Sequence, residues 1–287
     1  MKYRFMEENR SSFEVKKMCR SLKMSRSGYY RWRDRGQSTR ERENEELVKA
    51  IKESHRKSRE CYGSPRITED LLEMGYRCSK NRIARLMRKQ GIAAKMKRRF
   101  KVTTHSKHKL PVADNVLQRN FSAEKPNSVW ASDITYVQTG EGWLYLAAIL
   151  DVYSRQIVGW SMKERLTQEL TISAFHQAIG RRNPGPGLIF HSDRGIQYAS
   201  HDFRNLLKRK EFVQSMSGQG NCYDNAIMET FFHTLKTELI YFERYQTKED
   251  ARRSIFEYIE VFYNRVRRHS SLHYKSPTEF ERLVRAA

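Results

Sequence analysis

At Asn127 the hydrophobic pattern changes period, so the chain cannot be one helical bundle or one sheet; it must join two kinds of structure. Upstream, Val15, Met18, Cys19 and Leu22 recur at helical spacing, and Ser25 is placed to cap a second short helix. Leu47 and Ile51, with His55 on the same stripe, predict an amphipathic helix over residues 41–58. Ser64-Pro65 opens the next helix, RITEDLLEM, and Gly75 closes it; Ser79 caps KNRIARLMRKQ, which ends at Gly91. Downstream, SVWASDITYVQ alternates, LYLAAILDVYS is an apolar run and RQIVGWSM follows at once, which predicts three antiparallel strands joined by tight turns. A helix (LTISAFHQAIGRR), a buried strand (GLIFHSD), a helix (HDFRNLLKRKE) and a short strand (FVQSMS) come next. The expected fold class is α/β: a mixed sheet with helices packed on it, preceded by small all-α units. The boundaries fall at 1–37 (an N-terminal helical, helix-turn-helix-like segment), 38–95 (a helix-turn-helix domain), 96–124 (a basic linker) and 125–287 (the α/β core with a C-terminal helical tail).

Charge follows the same division. Residues 1–120 carry 33 of the 55 Lys and Arg but only 14 of the 33 Asp and Glu, so the front is a polycation and the back is nearly neutral. A basic segment beside a balanced one points to a polyanion-binding module joined to something else, and nucleic acid is the default polyanion. Charge alone leaves a ribosomal or chromatin protein open. Two short helices joined by GYRCS, the second lined by Lys80, Arg82, Arg85, Arg88 and Lys89, fit a helix-turn-helix whose second member enters a major groove. In the 95–125 stretch, Arg98 and Arg99 stand in a segment with few large apolar residues and no periodicity, read as a linker that tracks phosphates. His105 and His108 there read as solvated side chains. The longest apolar run, Trp143 to Leu150, is eight residues, too short to span a membrane, and MKYRFMEENR has no apolar signal stretch. A cytoplasmic, nucleoid-associated protein is expected. The cysteines, Cys19, Cys61, Cys78 and Cys222, show no Cys-x-x-Cys spacing and imply neither a zinc finger nor a disulfide framework.

Three carboxylates are placed to meet. Asp133 interrupts an apolar strand, where a charge is costly unless it is paired or bound to metal. Asp193 stands just past Leu188-Ile189-Phe190, at the carboxyl end of a buried strand, where open α/β sheets place their sites. If those strands are neighbours, the two acids meet. On the helix beginning near Asn221, the residues Asn225, Glu229, His233 and Lys236 share one face, while Ile227, Phe231 and Leu235 take the other. Three carboxylates on separate elements suit hard divalent cations such as Mg²⁺, which take oxygen ligands. Two such ions about 3.5–4 Å apart activate an attacking oxygen and stabilise a leaving 3′ oxygen of a phosphodiester. No G-x-S-x-G elbow and no P-loop supports a nucleophilic serine or an NTPase.

The order and spacing of these acids, with 35 residues between Asp193 and Glu229, resemble the DD(35)E pattern of the retroviral-integrase superfamily. The closer resemblance is to insertion-sequence transposases of family three, in the product of their second reading frame. It rests on VWASDITYV, AAILDVYSRQIVGW, HSDRGIQYAS, SMSGQGNCYDNAIMETFFHTLKTE and YNRVRRHSSLHYKSP, and in the front half on SRSGYYRW and CYGSPRI. The resemblance implies a ribonuclease-H-like core and a DNA transposase that binds the terminal inverted repeats of its element and catalyses strand cleavage and 3′-hydroxyl strand transfer. It implies that Asp133, Asp193 and Glu229 hold two Mg²⁺ or Mn²⁺ ions and that Lys236 contacts the DNA end. It also implies a circular intermediate, a multimer of this chain holding both ends and target DNA, and an upstream-frame product as partner or frameshift fusion. Cys222 departs from the family, where proline is common.

Other residues carry weaker readings. Asn225, Gln197 and Tyr198 are placed to contact DNA near the metals, with hydrogen bonding inside the loops as the alternative. Arg265, Arg267 and Arg268, beside His269, read as phosphate contacts without base preference. Asp151 reads as a turn cap, Asp224 as a capping residue near Asn221, and Gly195, Gly218 and Gly220 as loop glycines. A catalytically silent DNA-binding regulator with the same fold would have lost an acid, and all three are present. A plain nuclease would not need the basic front. By this division of labour, removal of residues 1–95 leaves a folded core that binds DNA weakly.

Overall fold

The computed structural model describes residues 2–95, 111–118, 120–218 and 222–286. Three short helices, α1 (Lys2–Glu8), α2 (Val15–Ser21) and α3 (Arg26–Asp34), close on a small core of their own: Met6, Met18, Cys19 and Tyr29. Ser25 caps α3 by accepting from the Gly28 N–H. The next helix, α4 (Thr39–Lys57), starts on a capping box between Ser38 and Glu41. With α5 (Ser64–Glu73) and α6 (Lys80–Lys89) it forms a three-helix unit around Leu47, Ile51, Ile67, Leu71, Ile83 and Met87. Pro65 sits in the first turn of α5, and Gly75 and Gly91 take positive φ just past the ends of α5 and α6. The stripe on α4 runs through Ser54, which is buried and hydrogen-bonds to Asp70; His55 instead turns outward to the Ala93 carbonyl at 3.0 Å.

From Val129 the chain builds a five-stranded sheet of β1 (Val129–Thr139), β2 (Gly142–Asp151), β3 (Ile157–Lys163), β4 (Ile189–Ser192) and β5 (Val213–Met216), in the order β3-β2-β1-β4-β5. The first three strands form an antiparallel meander; β4 and β5 run parallel to β1 and to each other. Parallel neighbours require crossovers. Those are α7 (Gln168–Arg182) before β4, and α8 (Ile196–Ala199) with α9 (His201–Arg209) before β5. The strand alternation sorts two cores. Trp130, Ile149, Val158 and Phe190 meet α7, α8 and α9 on one face. Ala131, Val137, Leu146 and Ala148 meet α10 (Ala226–Glu238), α11 (Lys248–Phe256) and the π-helical turns Glu257–Tyr263 on the other. The chain closes on α12 (Pro277–Ala286). α7 lies so close to β3 that a Cβ at Gly159 would stand 2.4 Å from the Ala174 carbonyl oxygen.

The α4–α6 unit and the second sheet face share one continuous apolar cluster. Buried charge locks the contact. Arg268 donates to Asp70 and to Glu73 of α5, Arg267 grips Glu238 at the end of α10 through two hydrogen bonds of 2.7 and 2.8 Å, and Arg66 of α5 stands 3.7 Å from the same Glu238. The Tyr62 hydroxyl donates to the Val266 carbonyl and accepts the Arg268 N–H.

Candidate active site

The register of β1 against β4 decides the site. Ser132 stands opposite Ser192 and the strands run the same way, so the next residue on each, Asp133 and Asp193, emerges side by side where β4 ends. Asp133 projects to the same sheet face as Ala131 and Val137, and α10, packed on that face against β1, carries Glu229 in its first turn. Ile227, Phe231 and Leu235 of α10 are buried, while Glu229 and His233 are exposed. This is the two-faced helix expected from the sequence.

Electrostatics tie the three together. Burial holds the Asp133 carboxyl well above the usual carboxylate range, and the negative charges of Asp193 and Glu229 push it further up; the Ile134 N–H and the Lys236 ammonium pull against them. Desolvation also raises Glu229. Burial lowers the Lys236 ammonium, the Asp133 charge draws it back up, and its Nζ sits 5.3 Å from the centre of the Tyr136 ring. The carboxylates rest on backbone amides: Asp133 Oδ1 accepts from Ile134 N at 2.7 Å, and Asp193 Oδ1 from Gly195 N at 2.9 Å. A Cβ on Gly195 would meet that same Asp193 oxygen at 2.9 Å, so glycine is what lets the acid fold onto its loop. Among the described residues no three His, Cys, Asp or Glu side chains already form a cage for an ion. The donor set is all oxygen, which fits a hard divalent cation.

Several sequence readings change here. Asn225 is buried at the entry of α10, where its amide donates to the Ser132 carbonyl at 3.3 Å and its Oδ1 is buried with no hydrogen-bond partner among the described residues. Tyr198 does not face DNA: it is fully buried, its hydroxyl shares a hydrogen bond of 2.7 Å with Ser132 Oγ, and aromatic packing on Phe190 and Phe203 holds it under the site. Gln197 is also buried, with its amide directed to the Leu166 carbonyl. Arg267 and Arg268 are no phosphate contacts, because Glu238, Asp70 and Glu73 already occupy their guanidinium donors. Arg265 is exposed. Lys80, Arg85, Arg88 and Lys89 lie exposed along α6, whereas Arg82 is half-buried and ties α6 to Asn44 and Glu43 of α4. Arg98 and Arg99 lie outside the described residues, as do His105 and His108. Asp151 is fully buried, accepts from the N–H groups of Asn127 and Tyr153 and pairs with Arg182. Asp224 accepts from Asn115 and from the Gly218 N–H.

Sequence reasoning passed over the residues that brace the site from behind. His191, on β4, is buried between Ser215 Oγ and the Asp224 carbonyl, and so fixes the strand end before Asp193 to the turn before α10. Burial lowers its pKa, so it serves as a neutral strut. Ser132 links β1 to β2 and to Tyr198. Their only signal was adjacency to the two aspartates.

Residues 123–222 match the integrase core domain family, residues 229–283 a second integrase core domain family, and residues 41–100 an HTH-like domain family. The transposase InsF of insertion sequence IS3A from Escherichia coli is 43% identical over 283 residues, which is 98% of each chain. The chain belongs to the IS3 family of insertion-sequence transposases. It is therefore a DNA transposase, an enzyme of the polynucleotidyl transferase class. A second relative, the insertion element IS600 31 kDa protein of Shigella sonnei, is 47% identical over 92% of this transposase and 97% of its own length. Among solved structures, the catalytic core domain of HTLV-2 integrase in complex with magnesium is 19% identical, covers 56% of this chain and 99% of its own, and superposes with a TM-score of 0.44.

Proposed function

We propose that Asp133, Asp193 and Glu229 are the ligands of two divalent cations, Mg²⁺ or Mn²⁺, at which this transposase cuts and joins DNA strands. The β1–β4 register carries the reading, because it sets two acids from distant stretches of sequence beside each other under the helix that bears the third. When bound, the ions supply the Lewis acidity that favours an attacking oxygen and a leaving 3′ oxygen. The chain's own residues do the rest. Asp133 and Asp193, which accept from Ile134 N and Gly195 N, would hold the ions together with Glu229. Lys236, half-buried against Tyr136, offers its ammonium to a phosphate of the DNA end. Asn225, at the root of the same helix, has an amide oxygen with no partner among the described residues. Water serves as nucleophile in cleavage and a 3′-hydroxyl in strand transfer, each in line at phosphorus.

The terminal inverted repeats are recognised by α6 through Lys80, Arg85, Arg88 and Lys89, in the manner of a second helix in a major groove. Exposed Arg265 adds a phosphate contact. Both element ends are held at once, which calls for a multimer of this chain, with an upstream-frame product as partner or fusion.

Asp193→Asn and Glu229→Gln, compared with wild type on an element-end duplex in Mg²⁺, test the assignment. Both variants should bind the end normally and lose cleavage and joining by a factor of about 10³ or more. Variants that still cut and join would remove the metal assignment; variants that lose end binding instead would make these acids structural.

A further inference from the structure

Beside Glu229, on the flank of α10, lies a cavity of about 300 Å³ that none of the assigned residues uses. Its floor is apolar, formed by β2 and α10, and its polar rim is made by Arg155, Tyr263, His269, Ser271, Thr230 and Thr234. Thr230 follows Glu229 but points about 100° away around the helix axis, so the cavity lies on the flank of α10 between its exposed and its buried face.

The rim carries the positive charge of Arg155. Among the described residues Arg155 has no carboxylate partner; its one hydrogen bond is a 3.5 Å contact to the Phe121 carbonyl. Residues 96–110, 119 and 219–221 contain no Asp or Glu that could supply one. Tyr263 is 2% exposed, and its hydroxyl has no hydrogen-bond partner among the described residues. The Arg155 guanidinium is partly drawn out of water, which lowers its pKa, and keeps donors for an anion that enters the cavity. The His269 imidazole is pushed down to about 4 by burial and by Arg267, Arg155 and Arg66, which reports the positive potential of the place. Its Nδ1 lies 2.9 Å from Ser271 Oγ. The backbone adds an independent sign. Arg155 occupies the β2–β3 turn at φ 60°, a left-handed conformation that glycine would adopt without strain, yet a long cationic side chain stands there.

We propose that this cavity binds a backbone phosphate of a DNA strand running along α10, with Arg155 and Tyr263 as its donors. Arginine's planar fork suits a phosphate, while the hydroxyls of Tyr263, Ser271 and Thr234 add neutral donors. A strand seated there lies along the flank of α10 formed by Thr230 and Thr234, about 100° or more around the helix from Glu229, so the contact holds DNA against the helix that carries the third acid. The inference extends the proposed function, but it needs neither metal nor catalysis to be tested.

The experiment measures binding of the full chain to an element-end duplex in EDTA over a series of KCl concentrations. Arg155→Ala should bind about 10- to 100-fold more weakly at fixed salt, with a salt slope shallower by about 0.9, the value of one phosphate contact. Tyr263→Phe keeps the ring against Phe231 and should bind about 3- to 10-fold more weakly with an unchanged melting temperature; it carries the test if Arg155→Ala fails to fold. Neutral methylphosphonates scanned through the duplex should weaken wild type at one position where they no longer weaken either variant. Wild-type slopes in both variants, or equal methylphosphonate losses throughout, would overturn the proposal. If inorganic phosphate raises the melting temperature of wild type but not of Arg155→Ala while the DNA slopes agree, the cavity holds free anions and the DNA assignment falls. A wild type that binds no element end strikes the end-recognition reading as well; unchanged variants beside a binding wild type strike this inference alone.

Discussion

Residue by residue, the chain separates acids that are tense from acids that are satisfied. Asp133 is desolvated and faces two like charges, so its ionised form is costly in the metal-free protein. A carboxyl raised in the folded state costs stability as pH climbs above its unfolded value, because the unfolded chain releases the proton more readily. Asp133→Asn should therefore be more stable than wild type to urea in EDTA at pH 7, with the gap closing as pH falls and with Mg²⁺ stabilising wild type alone. A variant less stable than wild type at pH 7 would contradict this. Glu238 is the opposite case, held by two hydrogen bonds from Arg267 and one from Tyr258. Removing Arg267 takes away both guanidinium hydrogen bonds of a buried carboxylate and leaves it Tyr258 and the more distant Arg66, so Arg267→Ala should cost about 3 kcal/mol in chemical denaturation. From sequence the two kinds of charge look alike. Arg267 and Arg268 read as DNA contacts because a run of arginines has no visible partner; Glu238, Asp70 and Glu73 lie far away along the chain and only folding brings them in.

At the scale of elements, local signals placed most of the structure. Ser25 and Ser79 cap the helices they precede, Gly75 and Gly91 end theirs, and the alternation of β1 put Asp133 and Trp130 on opposite faces. The π-helical turns Glu257–Tyr263 had no such signal, since a widened helix keeps ordinary helical composition. Helix α6 shows the same division within one element. Arg82 is spent on α4, whereas Arg85 and Arg88 are exposed and face solvent. Arg85→Ala with Arg88→Ala should reduce the salt slope of duplex binding by about 0.9 for each phosphate the helix no longer neutralises, with little change in melting temperature. Arg82→Ala should show the reverse emphasis: a lower melting temperature and a smaller change in slope.

For the whole molecule, the basic front proves to be two things. Helices α1–α3 own a separate core, but α4–α6 are fused to the catalytic half through a shared apolar cluster and through Arg268, which reaches Asp70 and Glu73. Deleting residues 1–37 should leave the melting temperature nearly unchanged. Deleting 1–95, which the charge division by itself expects to spare the core, strips Arg268 of both acids and uncovers the apolar cluster; it should lower the melting temperature markedly or give insoluble protein. The same interface is acid-sensitive. Arg268, and then Lys275, hold the Glu73 carboxyl down at about 2, so its contribution is complete above its ordinary value of 4.5 and is lost as pH falls between the two. Glu73→Gln should flatten the fall in melting temperature across that window. The sequence by itself determined most of the helices and strands, the two-part charge distribution, and the α10 face that carries Glu229, because period, capping and helical phase are local properties. Tertiary structure alone decided that Asp133 and Asp193 stand on neighbouring strand ends, which arginines pair with carboxylates and which stay exposed, and that α4–α6 and α10 share one core. Those are contacts between residues distant along the chain, and strand register and burial, which no local pattern encodes, create them.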